Sequence, residues 1–485
     1  MGSWVHVGAG APKIPILGER SSQCTEMPMS SHPKETINPF VDGPIVRTLL
    51  LTSLAMIPGT LAMSIFNIVD TYFVSRLGTA ALAAMGYCFP LMMIINCVYH
   101  GFTTGIMTLL SHAIGRKDDR EVARILGLGS LLIAAVSLVL GIGGSVVARP
   151  IFAHFVQTPE VLELTLQFIK IWLLGNLTIS LGLMSNKVLL ALGCTRHAAF
   201  WMVYGIILNV FMEPLFIFGY GSFPALGMTG AALATVLAQS ITPLGSFYII
   251  QKYRPFLNRT GFDFKYLAEC WKKLTLFSMP AILSMLIMPI GGLIMTWIAS
   301  QFGDDAVAGI AAAQRLETLA FVIPMSLGIS LAPMIAQNYA AKKFLRVNAI
   351  RKFSFGFALV FLMIAAFLMT FFAENLVGIF TTEPQTLRIG TLCLRIVSWG
   401  FAAQEIFRFS TFIYNSCNRP KMSAWYNIFR MFALAVPLSM LALLFHDITW
   451  LFIGRLLSDI LATVIIWYTS RRLVLKLIQN DNDEI

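Results

Sequence analysis

Apolar residues fall into twelve long runs that are separated by short polar segments. Each run is long enough, at about 1.5 Å per residue, to cross a hydrocarbon layer of about 30 Å as a helix. The pattern predicts an all-α polytopic membrane protein with twelve transmembrane helices. The runs lie near 48–75, 80–110, 122–147, 161–190, 197–219, 228–251, 271–300, 305–339, 351–374, 388–416, 422–445 and 449–470.

The composition supports a membrane protein and the charge distribution orients it. The chain is 57% apolar and 12% charged, with a mean hydropathy of +0.75, which excludes an ordinary soluble domain. The net charge of +11 does not predict nucleic-acid binding, because the basic residues cluster in short loops. Of 35 Lys and Arg residues, 26 fall on the side of both termini and three on the opposite side. We therefore expect a plasma (inner) membrane protein with cytoplasmic termini, with anionic lipids at the basic loops. The remaining six are assigned to spans: Lys170, Arg315, Arg395, Arg408, Arg430 and Arg455.

The runs divide into two lobes of six spans with short tails. We expect a disordered tail over 1–44 (with Met27 or Met29 as an alternative start and no signal peptide), an N-terminal lobe over 45–251, a cytoplasmic linker over 252–270, a C-terminal lobe over 271–475 and a tail over 476–485. The seven cysteines have no metal-binding spacing, so we expect free, buried thiols.

The second lobe repeats the first weakly. A shift of 225 residues aligns 77–83 with 302–308 and Lys117 with Lys342, and a shift of 223 aligns Pro214 with Pro437. Two lobes in parallel repeat, with a cavity between them, are a common architecture of secondary transporters.

A carboxylate in the first span is the most informative polar residue. Asp70 has no basic residue within a helical turn, and the repeat places Met295 at its equivalent in the second lobe. An unpaired ionisable group at this depth is costly and is a functional-site candidate by default.

The fifth and sixth spans add further oxygen atoms. Asn209 and Glu213 share one helix face, and Pro214 frees the Val210 carbonyl because it has no N–H. Carboxylate and amide oxygens suit Na⁺, and a pair of carboxylates also suits a shared proton. Ordinary hydrogen bonding between helices is the alternative role for Asn209 and for Thr235 in the sixth span.

The C-terminal lobe predicts ion pairs within single helices. Glu405 has Arg408 at i+3, and Asp459 has Arg455 at i−4. Glu317 lies only two residues from Arg315, so its partner is expected on another helix. Glu317 and Arg315 are a secondary polar site, with substrate contact or lobe closure as alternatives.

Pro58 and Pro214 are the candidate sites of helix kinks. Pro58 lies three turns before Asp70, where either a static kink or a kink coupled to protonation fits the sequence. His112 is predicted to be an interfacial residue, because no second histidine lies nearby.

These segments together resemble the multidrug and toxic compound extrusion (MATE) family, and its DinF-like prokaryotic branch in particular. The resemblance covers 45–475 and is carried by 67–78, 208–214, 226–235, 314–321 and 336–338. It implies export of lipophilic or cationic organic compounds in exchange for H⁺ or Na⁺. It places the family's cation site on Asp70, Asn209, Glu213, Ala231 and Thr235.

The chain departs from the family pattern at several points. The family usually has Asp where this chain has Glu213, the seventh span has no acidic residue, and Pro58 is displaced by about one turn. These departures weaken any transfer of a second cation site or of a bending mechanism.

Three functional hypotheses follow, of which a cation-coupled multidrug antiporter is the first. A flippase for lipid-linked precursors is the second. Lys170 is the only basic residue assigned to an N-terminal span, which argues against a polyanionic headgroup in that lobe. The arginines of the C-terminal spans favour the flippase hypothesis. An enzyme is disfavoured, because the spans carry no HExxH or GxSxG motif. We expect a monomer with small organic substrates, no cofactor, no nucleic acid and no metal except Na⁺ at Asp70, Asn209 and Glu213.

Overall fold

The computed structural model describes residues 38–156, 158–219, 224–253, 264–381 and 383–483. Residues 1–37 of the predicted tail over 1–44 therefore lie outside the described residues. In the N-terminal half the helices are α1 Ile45–Ser75, α2 Thr79–Gly115, α3 Asp119–Phe155, α4 Pro159–Leu174, α5 Asn176–Ala191, α6 Thr195–Phe218 and α7 Gly227–Tyr253. In the C-terminal half they are α8 Phe264–Ser300, α9 Asp304–Ala340, α10 Phe344–Phe371, α11 Ala373–Gly378, α12 Pro384–Val397, α13 Phe401–Ser416, α14 Pro420–Ile428, α15 Val436–Phe445 and α16 Thr449–Asp483.

The helices correspond to the twelve predicted spans. Among the described residues, ten helical segments are long and apolar enough to span a membrane, and the pair α4–α5, bent by 49° at Gly175, forms an eleventh. The twelfth span is α12–α13, which is joined by a 3₁₀ turn at Ser398–Gly400 and carries several charges. A π-helical segment, Phe429–Ala435, joins α14 to α15.

The backbone reveals the repeat more clearly than the side chains do. Positive φ angles recur at a shift of 225 residues at three turns: Gly78 with Gly303, Lys117 with Lys342, and Gly193 with Asn418. The shift of 223 is therefore wrong at the turn before α6 and α14. After the π-helical segment the shift is 227, which pairs Gly219 with His446. The equivalents of Asn209 and Glu213 are Leu434 and Leu438 by the first shift and Val436 and Met440 by the second, and all four are apolar.

Four central helices join the two lobes. The contacts between halves run mainly from α1 and α2 to α8 and α9. Glycines in α2 allow close approach: a Cβ added at Gly101 would lie 2.8 Å from the Ile282 Cα atom. The interlobe hydrogen bonds of the described residues cluster in one half of the bundle. We call this half the tail end, because both described ends of the chain lie there. Helix α1 begins in it, and Ile478 near the end of α16 lines a pocket with residues 342–346.

Polar side chains fasten the lobes at the tail end. Gln337 at the end of α9 donates to the Ala191 carbonyl of α5 at 2.6 Å. His112 Nε2 donates to the Ser416 carbonyl of α13 at 2.6 Å. The expectation of a membrane-interface position for His112 is wrong, since the residue is 5% exposed and lies between the lobes.

Residues 38–44, the N-terminal segment, pack across this junction. Asn38 donates to Gln337 at 2.9 Å, and Asn338 donates to the Phe40 carbonyl at 2.8 Å. Phe40 is 2% exposed and lies in the same apolar cluster as Leu49 of α1 and as residues of α9, α10, α13, α14 and α16. The described end of the predicted tail is thus part of the packed structure.

The Asp42–Lys343 pair gives the N-terminal segment a weak pH dependence. The ammonium of Lys343 lies 2.8 Å from Asp42 and holds the pKa of that carboxyl below its usual value. Its stabilisation is therefore present above the unfolded pKa and is lost as the pH falls through the lowered one. Both side chains are 41% exposed, so Asp42→Asn is expected to cost less than about 1 kcal/mol at neutral pH. Thermal melts of the two proteins check this, and a larger loss would contradict it.

Candidate functional site

Helix α1 carries Asp70 close to the end that is remote from the tail end. The residue lies five positions before the last residue of α1 and is 8% exposed. Pro58 lies within the same helix, which the structure continues without interruption. Asp70 is therefore a buried carboxyl group on one of the four helices that join the lobes.

Helix α6 presents Asn209 and Glu213 to the same place. They are 1% and 0% exposed, as expected for residues four apart on one buried face. Pro214 lies within α6, which continues to Phe218. The carboxyl groups of Glu213 and Asp70 are close enough to interact directly, and the side chain of Asn209 also interacts with Glu213.

Three oxygen atoms of α6 have no hydrogen-bond donor among the described residues. They are both carboxyl oxygens of Glu213 and Oδ1 of Asn209. Buried polar atoms are nearly always hydrogen-bonded, so such a group of acceptors needs a positive partner. A proton held between the carboxyl groups, or a Na⁺ ion among the oxygens, would supply it.

Helix α7 completes the polar group. Asn209 Nδ2 donates to Thr235 Oγ1 at 3.4 Å, and Thr235 Oγ1 donates to the Ala231 carbonyl at 3.1 Å. Asn209 thus makes the interhelical bond foreseen as its alternative role, while its Oδ1 remains available. The structure brings all five predicted residues together: Asp70, Asn209, Glu213, Ala231 and Thr235.

The contact between α6 and α7 depends on Gly230. A Cβ added there would lie 2.2 Å from the Phe216 carbonyl oxygen, which is backbone and cannot turn aside. Gly230→Ala is therefore expected to push α7 away from α6 and to destabilise the protein by about 1–3 kcal/mol. Thermal unfolding in detergent measures this, with Gly143→Ala in α3 as the control, because nothing lies within 4 Å of its added Cβ. Equal melting of the two variants would contradict this packing.

The C-terminal lobe has ion pairs in place of free carboxyl groups. Glu405 pairs with Arg408, as predicted from the i+3 spacing. The predicted pair of Asp459 with Arg455 is wrong: Arg455 pairs with Glu317 on α9, and Asp459 lies 3.5 Å from Arg430. Spacing within one helix favoured the local pair, but neighbouring helices supply closer partners.

The two residues of the predicted secondary polar site, Glu317 and Arg315, have different partners. The partner of Glu317 lies on another helix, as expected. Arg315 points elsewhere and covers the ring of Phe380 at 5.7 Å. The structure therefore does not bring Glu317 and Arg315 together.

Lys187 is a half-buried basic residue that the sequence analysis did not count among the spans. It lies inside the fourth run, 161–190, and the structure places it within α5, one turn before Ala191. The ammonium interacts with His100 of α2 and has no ion pair among the described residues. The argument that only Lys170 places positive charge within the N-terminal spans is therefore wrong.

The described residues contain no group of three or more His, Cys, Asp or Glu side chains that could hold a metal ion. Cys88, Cys97, Cys270, Cys393 and Cys417 are free, as expected. Cys194 is disulfide-bonded, so the expectation of free thiols is wrong at that residue.

Comparison with known proteins agrees with this architecture. The MatE family model matches residues 55–215 and 280–441. A FAD transporter of Shewanella oneidensis is 30% identical over 435 residues, which cover 90% of this chain and 96% of that protein. The multidrug export protein MepA of Staphylococcus aureus is 24% identical over 74% of this chain and 78% of its own length. The Vibrio cholerae MATE transporter VcmN, solved as a point mutant, superposes with a TM-score of 0.83 at 24% identity and covers 89% of this chain and 97% of that one.

The fold is that of a two-lobed, twelve-helix membrane transporter rather than an enzyme. The chain belongs to the MATE family.

Proposed function

We propose that the protein is a cation-coupled antiporter that exports lipophilic or cationic organic compounds. The observation that carries this proposal is the buried group of oxygens at Asp70, Asn209 and Glu213, where the described part of the chain supplies no hydrogen-bond donor to the Glu213 carboxyl group. The multidrug export proteins among its relatives support the substrate class. The protein acts as a monomer that contacts membrane lipids.

The positive-inside rule places the tail end in the cytoplasm, because the loops there carry most of the basic residues. The interlobe bonds of Gln337 and His112 then close the cytoplasmic side. In this state the Asp70 end of the cleft faces outward, where H⁺ or Na⁺ is taken up.

Alternating access couples the entry of the cation to the export of the substrate. A proton or Na⁺ entering from outside binds between the carboxyl groups of Asp70 and Glu213 and cancels one of their two negative charges. Substrate then leaves to the outside, and the lobes rock so that the cation is released to the cytoplasm. A ligand shifts such an equilibrium only by its difference in affinity for the two states, which a buried carboxyl pair provides.

Transport in proteoliposomes at fixed voltage tests the proposal. A pH gradient and a Na⁺ gradient are imposed separately while the movement of a fluorescent lipophilic cation is followed. The proposal expects one of these gradients to drive transport, and that gradient identifies the coupling ion. Equal movement with both gradients absent would contradict cation coupling.

A second candidate is export of an anion that carries a pyrophosphate group. The Shewanella relative is named for FAD, and this chain has the half-buried basic residue Lys187 and three paired arginines in its C-terminal lobe. A lipid-linked precursor carries the same pyrophosphate chemistry, so the flippase hypothesis belongs to this candidate. Accumulation of FAD, but not of riboflavin, in inverted proteoliposomes under the same gradients would favour it.

A further inference from the structure

Three arginines of the C-terminal lobe are each tied to a carboxylate. Arg408 of α13 pairs with Glu405, and Arg455 of α16 pairs with Glu317. Arg430, in the segment between α14 and α15, lies 3.5 Å from Asp459. The arginines thus come from three different helical segments, and α13 and the segment between α14 and α15 both pack against α16.

The carboxylates lie behind the arginines. The side chains of Glu405, Asp459 and Glu317 are 0%, 4% and 14% exposed, whereas those of Arg408, Arg430 and Arg455 are 33%, 22% and 26% exposed. Contact with hydrocarbon at this depth would be costly for an arginine, so a binding role for these residues requires their exposed parts to face water between the lobes. The carboxylates fix each guanidinium from the protein side, and the exposed fraction of each pair lies on the arginine.

Aromatic rings hold two of these guanidinium planes. Arg408 covers the ring of Phe321 at 5.4 Å, and Arg430 covers the ring of Phe407 at 4.8 Å. Phe321 follows Glu317 by one helical turn on α9, so the partners of Arg408 and Arg455 share one helix face. Asp459 interacts with both Arg430 and Arg455, so Arg455 is the central member of this group of three arginines, which is called the network below.

Each guanidinium also keeps spare hydrogen-bonding capacity. A guanidinium offers five N–H donors, of which a carboxylate typically accepts two in a parallel pair. The exposed parts of Arg408, Arg430 and Arg455 therefore retain N–H groups for a further acceptor.

We propose that Arg408, Arg430 and Arg455 bind the pyrophosphate group of an anionic substrate in the cleft. This inference rests on the second candidate function above and assigns its binding site. Planar guanidinium groups match phosphate oxygens with two parallel hydrogen bonds, which a lysine cannot make. The N-terminal lobe then holds the coupling cation, and the C-terminal lobe holds the anion.

Equilibrium binding to the purified full-length protein tests this site. FAD and riboflavin are titrated by flavin fluorescence anisotropy, because the pair differs by the pyrophosphate and adenosine. Arg430→Gln is expected to weaken FAD binding by about tenfold and to leave riboflavin unchanged. Arg430→Lys, which keeps the charge beside Asp459, is expected to recover only part of the affinity. Arg395→Gln, an exposed arginine outside the network, is the matched control.

Competition distinguishes the sources of the pyrophosphate. Inorganic pyrophosphate and a polyprenyl pyrophosphate in detergent micelles are each added against FAD. Displacement by either supports the site, and stronger displacement by the lipid assigns the site to a lipid-linked substrate.

Separate outcomes would overturn separate statements. Unchanged FAD affinity in Arg430→Gln and Arg430→Lys, with both proteins melting as the wild type does, would overturn the arginine site. Failure of FAD and of both pyrophosphates to bind the wild type would overturn the second candidate with it. Cation-driven export of a lipophilic cation is measured independently and would stand in either case.

Discussion

Replacing Asp70 by Asn is expected to abolish the stimulation of export by the cation gradient. The stimulation that is lost is about 5- to 150-fold, the usual size of a coupling between two sites. The amide keeps the size of the side chain but cannot carry the charge that attracts a cation, and it cannot share a proton with Glu213. In this variant Glu213 no longer competes with Asp70 for a single proton or Na⁺ ion. The measurement is gradient-driven transport in proteoliposomes, normalised to reconstituted protein.

Asp447→Asn is the matched control for this variant. Asp447 lies in the turn before α16 and accepts a hydrogen bond from the Thr449 N–H, far from the proposed cation site in sequence. The Thr449 bond holds the pKa of Asp447 below its usual value, as expected of a local surface interaction. Wild-type coupling in Asp70→Asn would remove the proposed role of the carboxyl pair, whatever the control shows.

Phe40→Ala is expected to produce the largest loss of stability, about 3–5 kcal/mol. The ring is 2% exposed and fills a cluster shared by α1 and the C-terminal lobe, so its removal leaves a cavity that the surrounding helices cannot close. The loss also weakens the junction at the tail end, because the Phe40 carbonyl holds Asn338 and the preceding Asn38 holds Gln337. Thermal unfolding in detergent reports the change.

Phe367→Ala provides the control for Phe40→Ala, since Phe367 lies in α10 and is 60% exposed. It is expected to melt close to the wild type. A Phe40→Ala protein that is as stable as Phe367→Ala would show that the N-terminal segment does not contribute to packing.

The sequence predicts the helices well, and also that Asp70, Asn209 and Glu213 lie close together, for a physical reason. Long apolar runs need no tertiary information to be recognised as spans, and an isolated carboxylate such as Asp70 stands out against them. The i,i+4 spacing of Asn209 and Glu213 likewise depends only on helix geometry. The MATE fold, with its twelve helices, was therefore predictable, and so was the meeting of α1, α6 and α7.

Contacts between distant helices were not predictable in the same way. Arg455 has a carboxylate four residues away, yet it pairs with Glu317, which is 138 residues away. Residues 38–44 have the composition of a tail, but Phe40 finds a cluster assembled from many helices. Lys187 lies near the end of an apolar run, where sequence cannot distinguish a loop from a helix end.

The two lobes divide the proposed chemistry. In the N-terminal lobe Asp70 and Glu213 form no ion pair with any of the described residues, whereas the C-terminal lobe has arginines whose carboxylate partners lie behind them. The apolar equivalents of Asp70, Asn209 and Glu213 in the second lobe show that the repeat has kept its backbone while its polar residues diverged. Coupling between the sites then runs through the movement of the lobes and needs no shared residue.

The exchange of the coupling cation on substrate binding tests the central claim most directly. Purified protein in weakly buffered detergent is mixed with a lipophilic cation, while a pH indicator follows proton release and radioactive Na⁺ follows sodium release. The account predicts release of one ion species from the wild type and none from Asp70→Asn or from Glu213→Gln, with both variants folded. Equal release from the wild type and both variants would contradict the assignment of the coupling cation to this carboxyl pair.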